Sequence, residues 1–315
     1  MRSAACFAFA SLFAATLAAT AIAQPPGITM DMINTVLPEE GAPLAEAGAY
    51  AVMSETAFNS AGHRLYRPSD LAAFPAQDKL PVLVWGNGGC AIDNPRYGDF
   101  LGTIASHGFL VLTTAAKAGE TGRATADSLR TAIDWAEAEN ARAGSPLAGK
   151  IDTTQVAVMG QSCGGFLSIT LGADPRVDTI GVFNSGVQPA PANGQPATNP
   201  TVDALAALHG PALFINGHER DFMMAASRQS FDAVNNLPTF YGARHGAGHT
   251  ATMYHKGGGE FANVVWRWLS YQFKGDSAAG KMFVGADCEL CTNANWDNFD
   301  SVQNRCIVRK LCEVG

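Results

Sequence analysis

Residues 156–165 read Val-Ala-Val-Met-Gly-Gln-Ser-Cys-Gly-Gly, an apolar run of strand type that ends in G-x-S-x-G and passes directly into a helix-type segment. Ser162 is therefore a candidate nucleophile. A sharp strand-to-helix bend lifts a hydroxyl above the sheet edge, and glycines beside it remove side chains that so tight a turn cannot hold. A serine hydroxyl is a weak nucleophile until a base takes its proton, so a histidine and an acid must come later in the chain. Asp221 follows the apolar run Ala-Leu-Phe-Ile-Asn-Gly, and His249 lies in Gly246-Ala247-Gly248-His249-Thr250 after the next such run. The order Ser162, Asp221, His249 suits this type of bend. Glu219, two residues before Asp221, and His245, four before His249, are rivals. His249 is preferred because the small residues before it let its loop reach over Ser162, whereas His245 sits nearer the strand and suits a loop-fixing role.

Acyl transfer also needs donors aimed at the oxygen that becomes negative. The Cys163 amide, at the start of the helix after Ser162, is one candidate. The turn Gly86-Asn87-Gly88-Gly89 supplies the other, with Gly89 ahead of Gly88. Trp85, Phe222 and Met253 are candidates for an apolar wall around the substrate. Of the remaining histidines, His63, His107 and His209 read as structural, while His218 and His255 lie close enough in sequence to touch substrate.

The elements that must position these groups follow a rhythm of short β-rich runs, each followed by a helix-like segment, which predicts a mostly parallel sheet flanked by helices. Strands are expected over 80–86, 109–114, 156–160, 180–184, 212–216 and 238–243, after an antiparallel pair over 50–59 and 64–67. Helices are expected over 97–107, 124–143, 163–172, 222–236 and 260–273. The proline-rich stretch 187–199 reads as a long loop at the C-terminal edge of the sheet, where such loops line ligand crevices.

Taken together, Val82-Leu83-Val84-Trp85-Gly86-Asn87-Gly88-Gly89, Ser106-His107-Gly108-Phe109-Leu110-Val111, Met159 to Gly165, Asn216 to Asp221 and Gly248-His249 resemble the α/β-hydrolase superfamily. Within it the likeness is to dienelactone-hydrolase-like enzymes and to bacterial cutinase- and polyester-hydrolase-like serine esterases, from about residue 50 to 273. Asn87 stands where many relatives carry histidine or proline, and Cys163 where polyester hydrolases usually carry methionine. The resemblance implies hydrolysis of carboxylic esters through an acyl-enzyme, with no cofactor and no metal. An amidase or peptidase, an acyltransferase, or a binding module that kept the fold would share the same residues. The fold would also bring Cys90 and Cys163 together, which suggests a disulfide between the two donor turns.

Composition bounds these readings. The chain has 315 residues, 47% of them apolar, enough for one large core. A net charge of −7 and the lack of Lys/Arg clusters exclude nucleic acid and anionic membrane surfaces as expected partners; a small-molecule or polymeric ester is the expected substrate, and a monomer the expected state. Arg2, the apolar run 4–19 and Ala21-Ile22-Ala23 form a secretory signal over 1–23, which predicts a secreted or periplasmic protein. A hydrolase domain is expected over 24–275 and a cysteine-rich extension packed on it over 276–315. Removing Cys6 with the signal leaves an even set, Cys90, Cys163, Cys288, Cys291, Cys306 and Cys312, the usual mark of disulfides in an oxidising compartment. The last four also have spacing that a zinc ion could close, and as disulfides a Cys288–Cys291 bond is the least comfortable because its loop is so short.

Overall fold

Runs of Val, Ile, Leu and Phe too short for helices become the middle of one nine-stranded sheet. The computed structural model describes residues 42–297, except 61, 75–77, 118, 191–197 and 286. An antiparallel pair, β1 (Val52–Thr56) and β2 (His63–Pro68), leads into six parallel strands: β3 (Leu80–Gly86), β4 (Leu110–Thr114), β5 (Ile151–Gln161), β6 (Thr179–Phe183), β7 (Ala212–Gly217) and β8 (Thr239–Arg244). A two-residue strand, β9 (Trp296–Asp297), closes the far edge antiparallel to β8. The order is β1-β2-β4-β3-β5-β6-β7-β8-β9.

Every residue of β3, β4, β6, β7 and β8 is buried, as expected where helices cover both faces of a parallel sheet. Side chains alternate between the two faces. Val82, Val84, Leu110 and Leu112 pack under α2 (Ala126–Ala141) and α3 (Cys163–Leu171). Leu83, Trp85, Val111 and Met159 pack instead against α1 (Gly98–Ser106) and α5 (Gly259–Lys274). The remaining long helix, α4 (Met224–Ala233), follows β7. A capping box between Thr125 and Ser128 starts α2, and Gly275, in the left-handed region at φ 65°, ends α5.

All the expected strands and helices are present, with ends shifted by a few residues, most of all in β5, which begins five residues early at Ile151. The expected signal over 1–23, Cys306 and Cys312 lie outside the described residues, as do 191–197 of the expected loop; Gln188 N donates to Pro200 O across that loop's base at 2.8 Å. Beyond α5 come two short helices, α6 (Ser277–Gly280) and α7 (Glu289–Thr292), and Cys288 bonds to Cys291, the pairing that loop length had disfavoured. The one-turn helix α7 makes it feasible by bringing the two Cα atoms to 4.9 Å. With those sulfurs bonded to each other, the zinc reading of the four cysteines does not hold. Cys288, Leu290, Cys291 and Trp296 are buried in the same cluster as α1 and α5. Among the described residues no helix is long and apolar enough to cross a membrane.

Candidate active site

Five neighbouring parallel strands, β3 and β5 to β8, end at one edge, and the segment leaving each contributes to a single cluster. At the end of β5, Ser162 adopts φ 54°, ψ −119°, a strained conformation for a residue with a side chain. Its neighbours hold it there. Ser162 N donates to Phe183 O at 2.8 Å, and Ser185 Oγ and Gly165 N donate to Ser162 O at 2.7 and 2.9 Å. The bend also requires α3 to start against the sheet: a Cβ on Gly164 would stand 2.0 Å from Gly86 O, and one on Gly160 would stand 2.5 Å from the Gly164 backbone. Either substitution would force the helix off the strands.

His249 Nε2 lies 2.8 Å from Ser162 Oγ, and His249 Nδ1 lies 2.9 Å from Asp221 Oδ1. His249 and Asp221 are both buried, with the Asp221 side chain fully enclosed. A carboxylate taken out of water needs donors, and Asp221 has them. Oδ1 also accepts from Met223 N at 3.0 Å, and Oδ2 accepts from Asn184 Nδ2 at 2.8 Å. Asn184, itself at φ 48°, follows β6, and Nδ2 also reaches Gly248 O at 3.3 Å, so one amide ties the acid to the loop that carries His249. The Phe222 ring packs 4.1 Å from the imidazole.

A second chain of hydrogen bonds supports the histidine from its backbone. Gln161 Nε2 donates to His249 O at 2.7 Å, while Gln161 Oε1 accepts from Tyr97 Oη at 2.9 Å. Burial, with Tyr254 beside it, pushes the Tyr97 phenol well above its usual range, so it remains a neutral donor. The same oxygen accepts from Gly88 N at 3.3 Å, which gives the Gly88 amide the task of anchoring its turn. Gly89, at φ 65°, faces open space, with no heavy atom within 4 Å of where a Cβ would be. Asn87 is buried in that turn, donating to Ala91 O at 3.0 Å. Cys163, at the first position of α3, and Cys90, beside Gly89, form a disulfide with a Cα separation of 5.1 Å.

Sequence reasoning missed Asn184, Gln161 and Tyr97. For the first two a usable signal was present: each is a polar residue at the C-terminal end of an apolar strand, where the sheet opens onto the site. Trp85 and Met253 do not line the site. Both are 0% exposed, because Trp85 points to the face of the sheet under α1, against Phe100 at 4.9 Å and Phe183 at 5.7 Å, and Met253 is enclosed in the same cluster. Phe222, half-buried on the imidazole, is the one residue of the three placed at the site.

The rivals Glu219 and His245 occupy a separate cluster. Glu219 Oε2 lies 2.8 Å from His218 Nδ1 and 3.7 Å from His245 Nδ1, and Glu219 Oε1 accepts from Gly246 N at 3.1 Å. His218 Nε2 lies 2.6 Å from Asp297 Oδ2 of β9, so His218 faces that edge strand and not Ser162. Donor atoms of His218, His245 and Asp297 lie within 4.8 Å of one another, close enough to share a cation. His255 is buried, and His63 and His107 are structural: His63 Nε2 lies 2.9 Å from Ser128 O, and His107 stacks on Trp266 at 3.9 Å.

Residues 45–239 match the model of the PETase family, described as PET hydrolase-like. The match takes in Ser162 and Asp221 and stops as β8 begins, ten residues before His249. No curated protein matches the chain.

Proposed function

From the premise that the chain belongs to the PET hydrolase-like family, and so is an α/β-hydrolase-superfamily ester hydrolase, we propose that Ser162, His249 and Asp221 form its catalytic triad and that an acyl-enzyme forms on Ser162. The observation that carries the reading is the unbroken relay from Ser162 Oγ through both ring nitrogens of His249 to the enclosed Asp221 carboxylate, at 2.8 and 2.9 Å.

Asp221 accepts a hydrogen bond from Nδ1–H and so holds the tautomer whose Nε2 lone pair faces the hydroxyl. As Ser162 Oγ attacks an ester carbonyl, Nε2 takes its proton, and Asp221 stabilises the imidazolium that results. The Cys163 amide, helped by the positive end of α3, and the Gly89 amide donate to the developing oxyanion. The imidazolium returns its proton to the leaving alcohol. A water activated by the same nitrogen then releases the acid and restores Ser162. Phe222 supplies an apolar contact beside the reacting centre. The proposed export signal places this chemistry outside the cytoplasm, where the disulfides persist.

Ser162→Ala tests the assignment. Hydrolysis of p-nitrophenyl acetate should fall by a factor on the order of 10⁶ in kcat with the far-UV circular dichroism unchanged. A variant that still turns over at the wild-type rate would remove Ser162 from the mechanism.

A further inference from the structure

The Cys90–Cys163 disulfide joins two segments that the sheet already brings side by side. Strands β3 and β5 pair in parallel up to Gly86 opposite Gly160, one residue before the first turn and two before the nucleophile. Strand pairing thus fixes where the two turns start, and the disulfide acts only on the few residues beyond. One of those residues is strained: Cys90 has φ 51°, a left-handed conformation unfavourable to a residue with a Cβ, immediately after Gly89 at φ 65°. The backbone bonds of the turn, Cys90 N to Asn87 O at 3.1 Å and Ala91 N to Gly88 O at 3.2 Å, are of ordinary strength. The sulfur link to the first residue of α3 opposes relaxation of Cys90 toward negative φ. Such relaxation would rotate the peptide between Gly89 and Cys90 and pull on the backbone of Gly89, whose own amide lies one peptide earlier.

We propose that this disulfide is a positioning device for the oxyanion donors, setting the Gly89 amide against the Cys163 amide, so that turnover depends on its oxidation state while the fold does not. The inference rests on the proposed triad and its oxyanion donors. Cys163 is partly exposed and Cys90 is buried, so an external thiol meets Cys163 Sγ first. Arg123 Nη2 lies 3.2 Å from that sulfur, where its charge favours the thiolate that re-forms the bond. Dithiothreitol would cleave the S–S bond to two thiols and become the cyclic disulfide; oxidised glutathione would reverse the change, leaving as two molecules of reduced glutathione.

The test compares wild type, C90A/C163A and C288A/C291A on p-nitrophenyl acetate, with inhibition by a boronic acid that mimics the tetrahedral intermediate. Loss of alignment should lower the kcat of C90A/C163A by ~100-fold and weaken the boronic acid in parallel, with KM changed less than ~3-fold. Reduced wild type should lose activity equally and regain it on oxidation, whereas C288A/C291A should keep its activity when oxidised and lose it under dithiothreitol. Should C90A/C163A not fold, the reduction and reoxidation of wild type decide alone. A kcat within ~3-fold of wild type in the folded double variant or in the reduced enzyme overturns the proposal. Labelling of oxidised wild type by a fluorophosphonate separates the two levels: labelling with an unaltered kcat on reduction removes only the positioning role, and failure to label removes the triad and the positioning role together.

Discussion

Two histidine–carboxylate groupings leave the same pair of strands a few residues apart. The loop after β7 carries His218, Glu219 and Asp221, and the loop after β8 carries His245 and His249. The inner pair, Asp221 and His249, is buried and faces Ser162; in the outer grouping Glu219 and His245 are exposed and His218 turns toward Asp297. The difference teaches that residue type and order do not distinguish the pairs. Enclosure does: the Asp221 carboxylate, accepting from Met223 N, Asn184 Nδ2 and the imidazole, is shut away from solvent. The Glu219 carboxylate, half exposed, takes its contacts from loop groups, among them His218 and Gly246 N.

Exchanging the pairs by substitution should give the largest contrast. Asp221→Asn should lower kcat by a factor on the order of 10⁴, because an amide favours the wrong imidazole tautomer, while Glu219→Gln should leave kcat within about 3-fold. His249→Ala and His245→Ala should divide in the same way; steady-state kinetics on one aryl ester reads all four. A large loss in Glu219→Gln would reverse the assignment of the acid. Asn184→Ala should show an intermediate effect, with kcat reduced by about tenfold and stability by about 1–3 kcal/mol in urea unfolding, because it leaves one oxygen of a buried carboxylate without its donor.

The smallest effect should come from the charge on the outer carboxylate. Hydrogen bonds, first to its own backbone amide and then to His218, hold Glu219 below the usual carboxylate value of 4.5. A depressed acid contributes stability that is fully present above its unfolded pKa and is lost as pH falls through the folded one. The Tm of wild type should therefore exceed that of Glu219→Gln by no more than about 2 °C at pH 7, since the site is exposed, and the gap should narrow as pH falls below the usual carboxylate value. Asp174 offers a stronger comparison on the far side of the sheet. Arg176 holds it at about 2 against a usual 3.8, so Asp174→Asn should lose stability at pH 7 and match wild type near pH 2.

Much of this arrangement was legible before any coordinates. The parallel strands announced themselves because residues buried on both faces must be apolar throughout, and the elbow because only glycine fits two positions to either side of Ser162. The supports of the site were less visible. Asn184 and Gln161 read as ordinary polar residues, since their value lies in the strand ends they occupy, and neighbouring strands are separated by long stretches of sequence. Trp85 was misjudged for a related reason: adjacent strand residues point to opposite faces, so a residue next to a functional turn can face wholly away from it. Nothing in the spacing foretold that Asp297 would cross back to His218, because β9 is too short to carry a pattern.

The position of β8 has a consequence for when the enzyme becomes competent. It is the last parallel strand among the described residues, and the loop it releases brings His249 across 87 residues to Ser162. On the proposed triad, synthesis yields Ser162 well before its base, and a chain halted before β8 should carry an inert serine. Ester hydrolysis should then appear only once β8 has paired with β7, as a chemical clock on that step of folding.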